Sequence, residues 1–306
     1  MLARFFQKSE PISFVSLLVL LFFYVFAHAI IQAPIVNYVL LFQALGTFLF
    51  FAALVFLSDF IIRKNELTPA NYYAVFVFVV FFGLFPSVLG FSKLCFSSFF
   101  VLLAARKIYS IRTKKLLLVK FFDSGLHIGV AYLLYPPSGL YLLLIYAGYF
   151  IYIRVINKDL LLPILGFLTP LFLAFTYFFS TEKMLLFRDL IEINLGFRFA
   201  EFTIPQLYVP LSIVFILLLW GLLKGFSNRH SIDNEGKNNA TLVFYHLLIS
   251  FFVLFLNNLS LTESIGFLFL PIAVFLGNLL SLISKVWVKE IVLMGLLMLS
   301  LLMPFL

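Results

Sequence analysis

Charge is what this sequence has least of. Asp, Glu, Lys and Arg make up 11% of its 306 residues, where a water-soluble domain carries about a quarter. No hydrophilic block is long enough for a separate globular domain, so one membrane domain over residues 1–306 is the simplest account. Cysteine is nearly absent as well. Cys95 stands alone, which excludes an internal disulfide and a multi-cysteine metal site, and its apolar surroundings make it a packing residue. Also missing are a Walker loop, a dinucleotide-type glycine fingerprint, HExxH and Gly-x-Ser-x-Gly. No metal and no cofactor is expected. No internal repeat of the kind found in many secondary transporters stands out.

What fills the chain is apolar. Hydrophobic residues reach 64%, with 43 Phe and 14 Tyr, and the mean hydropathy is +1.14. A surface of that composition is compatible only with lipid as its solvent. The net charge of +8 therefore reads as basic residues gathered in cytoplasmic loops rather than as a nucleic-acid site.

The fold class expected is all-α, a polytopic helical bundle, because backbone groups in lipid must pair within their own segment. Eleven apolar segments are long enough to read as spans: 12–31, 37–58, 72–90, 94–105, 121–135, 139–153, 160–179, 206–223, 241–257, 265–283 and 291–306. With the N-terminus cytoplasmic and the C-terminus periplasmic, 17 of the 21 basic residues fall inside. Only Lys93, Lys183, Arg188 and Arg198 fall outside. That bias also argues that the short segment 94–105 crosses, since otherwise ARKIYSIRTKK (105–115) would lie outside and every later loop would reverse. Segments 121–135 and 139–153 are short too, which points to tilted or thinned packing, or to helices facing a water-filled recess. Arg4, Lys8 and the run from Ile12 resemble a signal peptide; an uncleaved first span is the reading favoured here.

The longest outside loop, 180–205, holds the charges that fit least well. In EKMLLFRDLIEINL (182–195), Met184, Phe187, Ile191 and Leu195 share one helical face, and Arg188 and Glu192 are four apart. The pattern predicts a short interfacial periplasmic helix around 182–195, ended by Gly196. One reading leaves its charges simply facing water. The other has Arg188 and Arg198 hold a lipid phosphate, with Asp189 or Glu192 acting as a base.

Further in, Lys120, Asp123 and His127 share a face of the fifth segment, as a proton relay or ion gate, or as a Lys120–Asp123 ion pair at the interface with His127 bonded to a neighbouring helix. Asp59 and Arg63, four apart, are expected to pair. His28 and His246 read as isolated packing histidines. Pro136 and Pro137 in LLYPPSGLYLL (133–143) make a tight outside turn, with Tyr132, Tyr135 and Tyr141 near it. Asn257, Asn258 and Glu263 form a second outside polar cluster that could join Arg188 and Arg198 in one pocket.

RFFQKSEPISF (4–14), FSSFFVLLAARKI (96–108), LLYPPSGLYLLL (133–144) and FLFLPIAVFLGNLLSLISKVWVKE (267–290) together resemble a family of uncharacterised multi-pass inner-membrane proteins of flavobacteria and their relatives. More distantly, the order of basic loop, short span, proline turn and short return span over 105–170 is similar to the membrane core of integral-membrane glycosyltransferases that use polyprenyl-phosphate sugars. Those enzymes usually carry an essential acid in the first outside loop, and IIQAPIVNY (30–38) has none. The resemblance implies a multi-pass protein of the bacterial inner membrane, active in envelope biogenesis on a polyprenyl-phosphate or other anionic lipid. The alternatives are a non-catalytic scaffold or partner subunit of a secretion or envelope-assembly complex, and a transporter. Whether the protein is an enzyme stays open at this point.

Overall fold

A computed structural model describes residues 1–33, 37–153, 158–193, 205–227, 234–256 and 261–305. Among them there is no strand. Fourteen α-helices follow in chain order: α1 Leu2–Gln7, α2 Pro11–Gln32, α3 Tyr38–Lys64, α4 Tyr73–Leu84, α5 Lys93–Tyr109, α6 Leu117–Leu134, α7 Leu142–Tyr152, α8 Leu162–Ser180, α9 Met184–Ile191, α10 Pro205–Ser227, α11 Asn234–Phe255, α12 Leu261–Ser264, α13 Phe269–Leu282 and α14 Val286–Leu302. Among the described residues, eight helical stretches are long and apolar enough to cross a bilayer. The protein is a multi-spanning helical membrane protein. Of the eleven segments read as spans, three lie outside those eight stretches and fold as α4, α7 and α14, of 12, 11 and 17 residues.

The chain forms two compact units, each assembled from separated stretches. The first takes residues 1–91, 199–233 and 269–306. Its centre is α4, all twelve residues of which are buried, as a helix apolar on every side must be. Phe269 opens α13 and lies 5.2–6.1 Å, ring to ring, from Phe78, Phe81, Phe82 and Phe85. Further along, Gly277 lets α13 approach Ala74 so closely that a Cβ there would stand 2.7 Å from the alanine methyl. Tyr24 of α2 reaches Ser300 of α14 at 2.5 Å, beside Gly83. At the other end the Tyr73 hydroxyl donates to Ala3 O at 2.7 Å, and the Glu290 carboxylate accepts from the Leu2 and Ala3 amides at 2.7 and 2.9 Å. Glu290 thus caps α1 from a distant helix. Asp59 and Arg63 make the expected i,i+4 pair at 2.6 Å, with Arg63 also 4.2 Å over the Tyr72 ring. These contacts put Arg4, Arg63, Lys285 and Lys289 toward one end of the unit, and Tyr24, Phe269 and Ser300 toward the other.

The second unit takes residues 92–198 and 234–268. Its tightest joint is between α6 and α8. A Cβ on Gly125 would stand 2.1 Å from Pro163 O, one on Gly166 2.1 Å from Phe122 O, and one on Gly129 2.4 Å from Phe167 O. Small residues four apart let two backbones touch in this way. Because 122–125 meets 163–166 and 129 meets 167–170, α6 and α8 run parallel. Ser97 bonds Ala131 O, and Lys107 bonds Asp123, so α5 runs against them. Tyr141 meets Ser250 and Tyr152 meets Asn239, so α7 runs against α11. Tyr135, just after α6, bonds Val253 O near the end of α11, so α11 runs with α6, and each helix from α5 to α8 therefore reverses the one before. Lys107, Arg112, Lys120 and Glu235 gather at one end, and α9 lies at the other.

Candidate functional site

Three groups of polar side chains could carry chemistry, all in the second unit. The first is α9, shorter than the sequence pattern suggested. It spans Met184–Ile191, after which Glu192 turns extended at φ −68°, ψ 124°. β-Branched Ile191 and Ile193 flank that exit, and such residues prefer extended backbone. Glu192 thus stands outside the helix rather than one turn above Arg188 on it, although its amide still donates to Arg188 O at 3.0 Å. Phe187 fixes α9 by packing 5.7 and 6.2 Å from Phe175 and Phe178 of α8. The Tyr132 hydroxyl of α6 donates to Ile191 O at 3.1 Å. No residue of α9 is buried. Leu185 is 76% exposed beside exposed Arg188 and Asp189, and neither charge has an ion-pair partner among the described residues. Arg198, Leu195, Gly196, Asn257 and Asn258 lie outside the described residues. Glu263 sits in α12, half-buried.

The second group stands at the opposite end. Asp123 takes as its partner Lys107 of α5, at 2.5 Å, rather than Lys120 three residues away. Lys120 instead turns back to Ser110 O and to Thr113 Oγ1, the latter at 2.7 Å. His127 Nδ1 donates to Asp123 O at 2.5 Å, and its ring lies 6.5 Å from Phe100. Lys120, Asp123 and His127 share a helix, but their side chains do not form one chain of bonds. Asp123 and Lys107 do form a half-buried ion pair across two helices, and that bond sets the register of α5 on α6.

The third group was not recognised from the sequence. Along the buried face of α11 stand Asn239, His246 and Ser250, each met by a tyrosine from another element. The Tyr152 hydroxyl donates to Asn239 Oδ1 at 2.5 Å, Tyr109 bonds His246 Nδ1 at 2.9 Å, and Tyr141 bonds Ser250 Oγ at 2.8 Å. Tyr135 then donates to Val253 O at 3.1 Å, and Glu235 meets Arg112 at 3.5 Å at the other end. From Glu235 to Val253 this column follows about 27 Å of helix. His246 is thus bonded to a tyrosine of another helix rather than isolated. Ser138 adds a fully buried hydroxyl with no hydrogen-bond partner among the described residues. Bonds of this kind hold membrane helices to one another in place of a hydrophobic driving force. They also place one protonatable ring in the interior, where such groups mark ion or substrate paths. Polar residues at spacings of seven and eleven on the apolar helix were the available signal.

A family model matches residues 1–306. The chain belongs to that family, described as a family of unknown function (DUF6427). No curated protein and no solved structure matches it.

Proposed function

We propose that this member of the family handles an anionic lipid of the bacterial envelope, a polyprenyl phosphate or its sugar-linked form, at the outward side of the inner membrane. The observation that carries the reading is α9, where an arginine and leucines are exposed side by side on one short, anchored helix. That combination suits the headgroup layer, with the leucines reaching toward acyl chains and the charged fork toward phosphate. Asp189 stands next to Arg188 as the base that a transfer onto an acceptor would need, with Glu192 the further candidate. Arg198 is the second phosphate-binding residue of the proposal.

The topology that goes with this reading is eleven crossings, amino end inside and carboxyl end outside. It is supported by the segregation of basic residues and by the reversal at each step from α5 to α8. The three short helices are flanked by 3-10 turns at Pro86–Leu89, Pro136–Tyr141 and Met303–Phe305. Together with these, each covers roughly 26 to 32 Å, against about 30 Å of hydrocarbon.

The test is binding of polyprenyl phosphate to the purified full chain by native mass spectrometry. Arg188→Ala should weaken it by about tenfold, the loss expected for one charge-assisted phosphate contact, while Lys93→Ala should not. Equal binding of polyprenyl phosphate and neutral polyprenol by the unsubstituted protein would remove the reading.

A second reading, transport, rests on the tyrosine column of α11. It expects His246→Ala to abolish a substrate-driven proton flux in proteoliposomes while the protein remains folded. A scaffold role would show instead as a membrane partner that co-purifies in gentle detergent.

A further inference from the structure

The turn between α5 and α6 departs from ordinary backbone at two places. Lys114 sits at φ 53° and Leu116 at φ 49°, a left-handed region that side chains other than those of Gly, Asn and Asp rarely enter. Neither residue is glycine, so both positions carry full side chains on left-handed backbone. The turn is held in place from both sides. Lys114 N donates to Ile111 O at 2.8 Å, and the Lys120 ammonium reaches back to Ser110 O and Thr113 Oγ1.

The result is a surface of one sign with an apolar foot. Lys114 and Lys115 are both exposed, Leu116 is 76% exposed, and Leu118 and Val119 follow it exposed on the first turn of α6. The carboxylates nearest along these elements are already engaged, Asp123 with Lys107 and Glu235 with Arg112. Among the described residues neither Lys114 nor Lys115 has an ion-pair partner. Two ammonium groups with leucines beside them, at the mouth of a spanning helix, match a phosphate ester whose acyl chains lie alongside that helix.

We infer that residues 113–119 form a docking site for the headgroup of an anionic phospholipid, with Lys114 and Lys115 on the phosphate and Leu116 seated among the acyl chains. The site shares no residue with α9 and is at the opposite end of the unit. Its occupant is a bulk anionic phospholipid such as phosphatidylglycerol, not the polyprenyl phosphate proposed above.

The experiment uses the full chain in detergent, titrated with phosphatidylglycerol or phosphatidylcholine and read by native mass spectrometry. The unsubstituted protein should prefer phosphatidylglycerol, and the preference should shrink as salt rises. Lys114→Gln with Lys115→Gln should weaken phosphatidylglycerol binding by about thirtyfold, from roughly fivefold for each lysine near an anionic surface. The same double change to Arg should retain it. Leu116→Gly, which suits the left-handed backbone, should weaken both lipids. These positions are exposed, so the variants should elute as the parent does on size exclusion. A parent without preference, or a double Gln variant that keeps it, would overturn the inference. So would phosphatidylglycerol loss on Arg188→Ala equal to that on the lysine pair.

Discussion

Gly166→Leu should remove almost all folded protein from the membrane. The position has no room on either side, because a Cβ there would lie 2.1 Å from Phe122 O and 3.0 Å from Leu126 N. Both obstacles are backbone, so neither can swing away as a side-chain tip would. The α6 backbone cannot retreat without undoing the reciprocal contact of Gly125 with Pro163 O. Parting the two helices breaks the joint along its whole length, and a loss of more than about 4 kcal/mol is expected, the size reserved for changes that break a core. The measurement is monodisperse yield by fluorescence-detected size exclusion, with the thermal midpoint of whatever survives. Gly46→Ala is the matched control, since nothing lies within 4 Å of a Cβ added there. Parental yield and midpoint for Gly166→Leu would show that the α6–α8 joint is not as close as described.

Phe269→Ala should be the most damaging truncation in the first unit. The ring is 2% exposed and touches four phenylalanines of α4 and the residue that follows it. Removing it deletes the edge-to-face partner of three of them and leaves a cavity lined by α4, which has no exposed face to collapse toward. A cost of about 3 to 5 kcal/mol is expected. Lipid cannot offset the change, because the site is shut off from it. Phe172→Ala, at a residue 64% exposed, should shift the thermal midpoint little. A midpoint for Phe269→Ala within a degree of the parent would contradict α4 as the centre of that unit.

Much of the fold was legible, because lipid forces apolar stretches into helices and charge into their ends. The segment read as 12–31 folds as Pro11–Gln32, and 160–179 as Leu162–Ser180. Where the reading strayed, a local cause is visible. The segment 72–90 contains Pro86, and α4 stops at Leu84 because the residue before a proline is pushed out of helical backbone. The segment 94–105 looked too short only because its apolar run was counted. The helix continues through Arg106 and Lys107 to Tyr109, since a lysine can leave lipid by bonding a carboxylate on its neighbour. Gly125 and Gly129, four apart in GLHIG, were the overlooked sign of the α6–α8 joint.

The polar groups were less legible, for a reason that spacing cannot cure. Lys120 and Asp123 invited pairing because they are near in sequence, yet Asp123 binds Lys107 and Lys120 binds the preceding turn. His246 looked isolated because its partner, Tyr109, is 137 positions away. Local pattern finds faces of helices. It does not find which faces meet. The α9 helix was readable because Phe187 packs on Phe175 and Phe178, which lie just before it in the chain.

The account stands most directly on α9 and the Lys114–Lys115 turn facing opposite sides of the bilayer. In a Cys95→Ala background, Leu185→Cys and Lys115→Cys would be exposed separately to a membrane-impermeant maleimide, in intact spheroplasts and after permeabilisation. The account predicts that Leu185→Cys is labelled in intact spheroplasts and Lys115→Cys only once they are opened. Labelling of both positions in the same condition would place the two sites on one side of the membrane and contradict it.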